Sequence, residues 1–236
     1  MLNFNSKISI VIPIYNELNN INILYDEIYK VLNNLNYEYE IIFVDDGSLD
    51  GSSIKLNKLS NFENVIVIKN DKNFGQSYSI YQGVKKSNFL TIITLDGDLQ
   101  NDPNDIGKLI DIYSSNDYHL VGGIRVNRKD NYVKIISSKI ANYIRNIILK
   151  DGCVDTGCSL RVFNKEKFLE FPFFDGMHRF LPALFKGYGG KTFFTPVNHR
   201  KRLNDSSKYG INNRLLRGIK DLLKVKKILK SRKWVI

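Results

Sequence analysis

The first 125 residues alternate between short apolar runs and longer stretches in which apolar residues recur at helical spacing. Apolar runs rich in β-branched residues predict buried strands, and the amphipathic stretches predict helices that pack on a sheet. The predicted strands are Ile8–Ile14, Glu40–Val44, Val65–Ile68, Phe89–Leu95 and Tyr118–Ile124, and the predicted helices begin near Asn20, Gly51, Gly75 and Pro103. Strands separated by single helices indicate an α/β fold with a doubly wound, mostly parallel sheet.

This alternation weakens after Arg125. We predict a helix over about Val133–Leu149, then the segment Asp155–Phe163, aromatic-rich loops and a last strand at Thr192–Val197. Because no clear linker interrupts the chain, we expect one compact domain over residues 1–210, followed by a basic amphipathic helix over residues 211–236.

The positive charge is confined to the end of the chain. The protein has 236 residues, 43% of them hydrophobic and 25% charged, with a net charge of +11. From Arg200 onward there are 13 basic residues and two acidic ones, whereas the preceding 199 residues carry 22 of each sign. A soluble globular domain with a basic tail is therefore expected, and a uniformly cationic nucleic-acid-binding protein is disfavoured.

Several kinds of segment and site are not supported by the sequence. The apolar runs are shorter than the roughly 18 residues that a membrane-spanning helix needs, and no secretory signal opens the chain. There is no G-x-G-x-x-G after the first strand and no P-loop motif. Cys153 and Cys158 are too few for a zinc site or a disulfide framework, and the three histidines are isolated. We expect reduced thiols, structural histidines and a cytoplasmic location.

Acidic residues follow three of the predicted strands. Glu17 follows the first strand, Asp45 and Asp46 end the second, and Asp96 and Asp98 follow the fourth. In open α/β sheets, ligands bind beyond the carboxyl ends of the strands. Clustered carboxylates repel one another unless a cation joins them, so the pattern favours a divalent metal with a phosphorylated ligand. The alternative is that these residues only form turns.

The motifs strand–PxYNE, strand–DDGSxDG and strand–LDGDLQxxP together resemble the nucleotide-sugar-binding half of family 2 glycosyltransferases with the GT-A fold. The polyprenyl-phosphate branch, which includes dolichyl-phosphate mannosyltransferase, is the more similar one. Three further motifs carry that resemblance: Gly123-Ile124-Arg125, the segment from Asp155 to Arg161, and Arg202 followed by Ser207-Lys208-Tyr209. The resemblance covers roughly residues 7–210.

The resemblance implies three groups of site residues. Those expected around the nucleotide base and ribose are Pro13, Tyr15, Glu17, Val44 and Asp46. Those expected beside the diphosphate are Asp96 and Asp98, which would hold Mg²⁺ or Mn²⁺, with Gly97 and Gln100 alongside. Those expected to neutralise phosphates or to bind the acceptor are Arg125, Arg202, Lys208, Ser159 and Arg161.

The resemblance also implies a reaction. A sugar would pass, with inversion, from a UDP- or GDP-sugar to an undecaprenyl or dolichyl phosphate at the cytoplasmic membrane face. A phosphate monoester is largely dianionic near neutral pH, so it can attack without a general base. The metal would stabilise the departing diphosphate, while arginines screen the repulsion between the two anions.

Two other functions are compatible with the same motifs. A GT-A transferase acting on a glycan hydroxyl would need a general base, and the sequence offers no compelling one. A non-catalytic protein that binds nucleotide sugars or anionic membranes is disfavoured by the intact acidic strand ends.

The basic tail predicts an amphipathic helix at an anionic membrane surface. Its apolar face comprises Leu215, Leu216, Ile219, Leu222 and Leu223, the basic residues around it include Arg214, Arg217, Lys220 and Lys224, and Trp234 would suit an interfacial anchor. The alternative is a helix packed on the domain with a solvated basic face. Many bacterial members of the polyprenyl-phosphate branch carry C-terminal transmembrane helices and this sequence ends without one, which leaves a membrane-protein partner open. No nucleic-acid partner is expected.

Overall fold

A computed structural model describes residues 7–35, 37–126, 132–202 and 212–232. The strands are β1 (Lys7–Ile14), β2 (Glu38–Asp45), β3 (Val65–Lys69), β4 (Thr91–Thr94), β5 (Leu120–Arg125), β6 (Arg161–Asn164) and β7 (Thr192–Val197). The α-helices are α1 (Ile21–Asn33), α2 (Ser52–Leu59), α3 (Gln76–Lys86), α4 (Asp105–Ser114), α5 (Tyr132–Leu149), α6 (Lys165–Leu169), α7 (Leu181–Gly187) and α8 (Asn212–Arg232), and a 3₁₀ turn spans Met177–Phe180.

The seven strands form one sheet in the order β3-β2-β1-β4-β6-β5-β7. All neighbouring strands pair in parallel except β6, which is antiparallel to both β4 and β5. The predicted α/β class with a mostly parallel sheet is therefore confirmed. Because β1, β2, β4 and β5 run in one direction, the segments that follow them meet at the same edge of the sheet.

Helices cover both faces of the sheet. Ile10 and Ile12 of β1 belong to one buried core, which α1 and α4 complete, whereas Val11 belongs to a second core formed with α3, α6, α7 and α8. This alternation follows from the two-residue period of a strand. It explains why the predicted strands of the first half are apolar on both faces.

The structure corrects the sequence predictions after residue 150. The short strand β6 was not predicted, because its four residues begin with Arg161 and lack an apolar run. The expected aromatic-rich loops instead include α6, the 3₁₀ turn and α7, whose Phe168, Phe180 and Phe185 are buried in the second core. Tertiary packing, rather than local periodicity, orders this region.

Helix α8 packs against the sheet domain. Leu222 and Val225 are buried in the second core, and Asp221 forms an ion pair with Arg179 at 2.6 Å. The neighbouring Leu223 is exposed. The predictions for Lys208 and Trp234, and for the side chains of Arg214, Leu215, Leu216 and Arg217, fall outside the described residues.

If α8 is part of the folded domain, Leu222→Ala should lower the free energy of unfolding by about 2–3 kcal/mol, because it removes buried methyl groups. Leu223→Ala is the matched control, since Leu222 is 8% exposed and Leu223 is 60% exposed. We expect the control to change stability by less than about 0.5 kcal/mol. Urea unfolding followed by circular dichroism measures both, and equal effects would contradict this packing.

Candidate active site

Two loops meet at the carboxyl ends of β1 and β2. The backbone N–H of Asn16 donates to Ser48 Oγ at 3.0 Å, and the Asn16 side chain accepts from the backbone N–H of Leu49 at 2.8 Å. The backbone N–H of Glu17 donates to Ser52 Oγ at 3.0 Å. Asn16 has a φ of 55°, which an asparagine tolerates better than most residues. These bonds hold Tyr15 and Glu17 beside the DDGS loop, next to the paired strand residues Pro13 and Val44.

The two aspartates at the end of β2 hold neighbouring loops. Asp45 accepts hydrogen bonds from the Ser48 backbone at 2.9 Å and from the Ser53 hydroxyl. Asp46 accepts from Asn70 Nδ2 at 2.8 Å and from the backbone N–H of Gly75 at 2.8 Å, as well as from that of Phe74 at 3.0 Å. Asp46 therefore fixes the loop that leads into α3.

The Asp96-Gly97-Asp98 segment lies against the end of β1. A Cβ atom on Gly97 would lie 2.5 Å from Ile14 Cδ1 and 3.3 Å from the Pro13 carbonyl oxygen. A larger residue would force the terminal methyl of Ile14 to move and would crowd the Pro13 carbonyl, so glycine suits this close approach. The close contacts of Gly97 are therefore with the end of β1, and its approach to a diphosphate stays a prediction.

Asp96 and Asp98 have different partners. Asp96 Oδ1 accepts from Gln76 Nε2 at 2.7 Å, and the Asp96 backbone N–H donates to Asn101 Oδ1 at 3.0 Å. Asp98 Oδ1 accepts from the backbone N–H of Gln100 at 3.1 Å. Asp98 Oδ2 lies 3.6 Å from an Arg202 nitrogen.

The two carboxylates are only partly neutralised. Burial and the charge of Asp96 together raise the pKa of Asp98 to about 6, although Arg202 opposes this shift. Burial also raises the pKa of Asp96 despite the charges of Arg125, Arg161 and Arg202. The pair is therefore a site of unfavourable negative charge that a cation would relieve.

The donor chemistry of this pair fits a divalent metal ion. Carboxylate oxygens are hard ligands, and Mg²⁺ is commonly held by one or two carboxylates together with water and substrate phosphates. Among the residues that the structure describes, no group of three or more His, Cys, Asp or Glu side chains is arranged to hold a metal. A metal here would accordingly be bound by Asp96 and Asp98, with its other ligands supplied by water and by a bound molecule.

Arg202 and Arg125 have different surroundings. Arg202 lies between two acidic groups, 3.3 Å from Glu17 Oε1 and 3.6 Å from Asp98 Oδ2. The guanidinium of Arg125 instead forms a bidentate pair with Asp155, with both nitrogen–oxygen distances at 2.8 Å. Thus Arg202 is next to the carboxylate pair, whereas Asp155 fixes the plane of Arg125.

The predicted acceptor residues Arg161 and Ser159 bind atoms of the protein itself. Arg161 is buried and donates to the carbonyl oxygens of Thr156, at 2.7 Å, and of His178. The hydroxyl of Ser159 donates to Asn101 Oδ1 at 2.7 Å. Arg161 therefore supports the backbone around the site, and Ser159 joins the network around Asp96.

His178 belongs to a half-buried polar network. Its Nδ1 lies 2.6 Å from Ser77 Oγ, in the first turn of α3 and directly after Gln76. Burial lowers the pKa of His178 to about 3, and the nearby Arg179 and Arg161 lower it as well. A neutral His178 adds no positive charge beside these two arginines.

The sequence predictions missed Gln76, Asn101 and Asp155 as parts of the site. Gln76 opens a helix at the carboxyl edge, and Asn101 follows Asp98 in the same loop. The sequence places both residues near the carboxyl edge, but it does not show that they bind Asp96. Asp155 belongs to a motif that carries the family resemblance, although no role was predicted for it.

The match to known sequences covers most of the chain. The family described as "Glycosyl transferase family 2" matches residues 9–171. A dodecaprenyl-phosphate galacturonate synthase from Rhizobium johnstonii is 33% identical over 224 residues, which are 93% of this chain and 66% of that protein. An undecaprenyl-phosphate 4-deoxy-4-formamido-L-arabinose transferase from Pectobacterium carotovorum is 31% identical over 205 residues, 86% of this chain and 62% of that protein. The chain thus spans slightly less than two thirds of each relative.

Solved structures share the fold at low sequence identity. Mannosyl-3-phosphoglycerate synthase from Rubrobacter xylanophilus superposes with a TM-score of 0.74 at 15% identity, covering 96% of this chain and 75% of the other. Glucosyl-3-phosphoglycerate synthase from Mycobacterium tuberculosis, in complex with Mn²⁺, UDP and glucosyl-3-phosphoglycerate, gives a TM-score of 0.69 at 15% identity. The match covers 93% of this chain and 78% of that protein.

His178→Asn should make stability less sensitive to acid. The unfolded histidine binds a proton below its ordinary pKa of about 6.5, whereas the folded one stays neutral down to about 3. Wild-type stability therefore falls as the pH drops through this window, by up to about 1.4 kcal/mol per pH unit from this group. We expect the variant to be less stable near pH 7 but to lose about 3 kcal/mol less than wild type between pH 7 and pH 4. Parallel profiles of urea unfolding against pH would contradict a neutral His178.

Proposed function

Because this chain belongs to glycosyl transferase family 2, we propose that it transfers a sugar from a UDP- or GDP-sugar to an undecaprenyl or dolichyl phosphate. The observation that carries the proposal is the half-buried, under-neutralised pair of Asp96 and Asp98 beside Arg202. Such a pair suits a metal-bound diphosphate, and an arginine suits a second phosphate group. The polyprenyl-phosphate relatives described above support the acceptor class.

The donor would occupy the carboxyl ends of β1, β2 and β4. We assign the base and ribose to the surface formed by Pro13, Tyr15, Glu17, Val44 and Asp46, and the diphosphate to Asp96, Gly97, Asp98 and Gln100. Asp96 and Asp98 would hold Mg²⁺ or Mn²⁺, which when bound would neutralise the diphosphate and act as a Lewis acid for its departure. The Mn²⁺ and UDP in the glucosyl-3-phosphoglycerate synthase structure support this assignment at the level of the fold.

The acceptor phosphate would approach from the side of Arg202 and Arg125. Its oxygens are largely deprotonated near pH 7, so one of them can attack the anomeric carbon without a general base. Arg202 would screen the repulsion between acceptor and donor, and Arg125 would present a guanidinium oriented by Asp155. Ser159 and Arg161 would support this side from behind, and Lys208 would add a positive charge. In-line displacement would invert the anomeric configuration.

A lipid-borne acceptor requires the protein to work at a membrane. Within the described ranges, no helix combines the length and the apolar character that crossing a bilayer requires. We propose that the protein acts at the cytoplasmic face, with or without a membrane-protein partner, and that α8 contributes positive charge to this contact. Lys220, Lys224 and Lys227 of α8 are exposed, as an anionic surface would need.

Asp98→Ala should reduce transfer at least about 100-fold, because it removes one of the two carboxylates proposed to hold the metal. The assay supplies Mg²⁺ or Mn²⁺, a panel of labelled UDP- and GDP-sugars, and undecaprenyl or dolichyl phosphate, and measures label extracted into the organic phase. Asp26→Ala, an exposed acid of α1, is the control and should stay within about twofold of wild type. Label that enters only water-soluble glycans would refute the lipid acceptor, and an unused donor panel would refute the transferase.

Arg202→Gln should lower the transfer rate about 100-fold, since the carboxylate cluster and the two substrates lose their shared positive charge. Arg202→Lys should recover part of the rate, because it restores the charge without the planar fork. Arg200→Gln is the matched control: Arg200 pairs with Glu27 at 2.6 Å and with Asp102 at 2.7 Å, outside the carboxylate pair. Equal losses of transfer rate in the Arg200 and Arg202 variants would show that both arginines only stabilise the structure.

A further inference from the structure

Helix α5 exposes a continuous apolar stripe. Five large side chains on one face are between 48 and 70% exposed: Ile136, Ile140, Tyr143, Ile144 and Ile147. At 100° per residue they fall within about 100° of the helix circumference. A contiguous apolar surface of this kind on a soluble protein marks an interaction site rather than a random feature.

The opposite face of α5 meets the protein mainly through polar groups, and Ile148 and Leu149 near its end pack against the second core. Asn142 accepts from the Thr156 hydroxyl at 2.8 Å, and Asn146 accepts from the backbone N–H of Gly152 at 2.9 Å. Arg145 is buried and lies 3.2 Å from Asp151. These contacts fix the inner face of α5, so the five apolar side chains of the stripe remain on the outside.

The charge around the stripe favours an anionic partner. The 18 residues of α5 include no Asp or Glu, and the exposed Lys139 flanks the stripe. The 21 residues of the adjacent α8 include eight basic residues and one acidic residue, Asp221, which is paired with Arg179. A second copy of this chain would bring like charges together, whereas an anionic bilayer offers both a complementary charge and an apolar interior.

We propose that the α5 stripe inserts into the surface of an anionic bilayer, with the helix lying in the membrane plane. This deepens the proposed function and rests on it in one respect, because a lipid-borne acceptor explains why a bilayer should be the occupant. The stripe supplies the apolar part of binding, and the lysines of α5 and α8 supply the electrostatic part.

The position of α5 connects this surface to the site. Its inner face binds residues 151–156, a segment that includes Asp155, the partner of Arg125. The chain then reaches Ser159, which bonds to Asn101 beside Asp96. The proposed membrane contact and the acceptor side of the site thus lie on opposite faces of one helix, about 10 Å thick. An acceptor phosphate could enter the site while its hydrocarbon chain stays in the bilayer.

The test is flotation of the full chain with vesicles of phosphatidylcholine and phosphatidylglycerol that contain neither polyprenyl phosphate nor nucleotide. We expect the double variant Ile140→Gln/Ile147→Gln to bind these vesicles about tenfold more weakly than wild type, since two apolar side chains no longer leave water. The control is Ile23→Gln/Ile54→Gln, two isoleucines of α1 and α2 that are 44 and 67% exposed. It should bind within about twofold of wild type.

Vesicle binding at different salt concentrations separates the apolar contribution from the electrostatic one. High salt should weaken wild-type binding by screening the lysines, and the residual binding at high salt should be the part that the α5 variant loses. Equal binding by wild type and the α5 variant would overturn the proposal. So would a wild-type dimer in analytical ultracentrifugation that the α5 variant abolishes while vesicle binding stays unchanged, because the stripe would then bind a second copy.

These outcomes are distinct from failure of the proposed function. Vesicle binding requires no catalysis, and transfer is assayed separately with polyprenyl phosphate in detergent. Loss of vesicle binding in the α5 variant, with no transfer by wild type in detergent, would support the membrane surface and refute the reaction. Transfer by wild type in detergent, together with unchanged vesicle binding by the α5 variant, would support the reaction and refute the membrane surface.

Discussion

Two carboxylates, those of Asp96 and Asp98, lie close together in a poorly solvated loop, and the rest of the candidate site is arranged around them. Burial and mutual repulsion raise the pKa of Asp98 to about 6, so the folded chain tolerates an unfavourable charge there. The surrounding structure limits this cost without removing it: Gln76 donates to Asp96, and Arg202 lies between Asp98 and Glu17. A site that is under-neutralised on its own is well suited to a cation and a phosphorylated ligand.

Two other acidic residues near the same sheet edge, Asp46 and Asp155, hold neighbouring groups in place. Asp46 accepts from Asn70 and from the backbone N–H groups of Phe74 and Gly75, which orders the loop before α3, and Asp155 holds the guanidinium of Arg125 in one plane. Acidic residues at one sheet edge thus differ in how much of their charge the fold itself neutralises. The same organisation extends to α5, whose polar inner face orders the segment carrying Asp155 while its apolar outer face is left exposed.

Much of the first half of the chain was predictable because it obeys local rules. The apolar runs of β1, β2 and β3 and the helical spacing of α1 each reflect burial on a defined face, so periodicity alone located them. β6 and the helices after it were missed because they are short and their order comes from packing between Phe163, Phe168 and Phe185. The position of α8 was likewise decided by the burial of Leu222 and Val225, which its basic composition does not reveal.

The amino-acid sequence by itself determined the fold class, the gathering of acidic loops at one sheet edge and the family resemblance, because these depend on residues close together in the chain. Only the tertiary structure decided which acids are neutralised and which way α5 faces. The reason is that the deciding partners are distant in sequence: Arg202 meets Glu17 across 185 positions, and Ser159 meets Asn101 across 58. Hydrogen bonds and ion pairs of this kind depend on which elements the sheet brings together, and local patterns do not encode that.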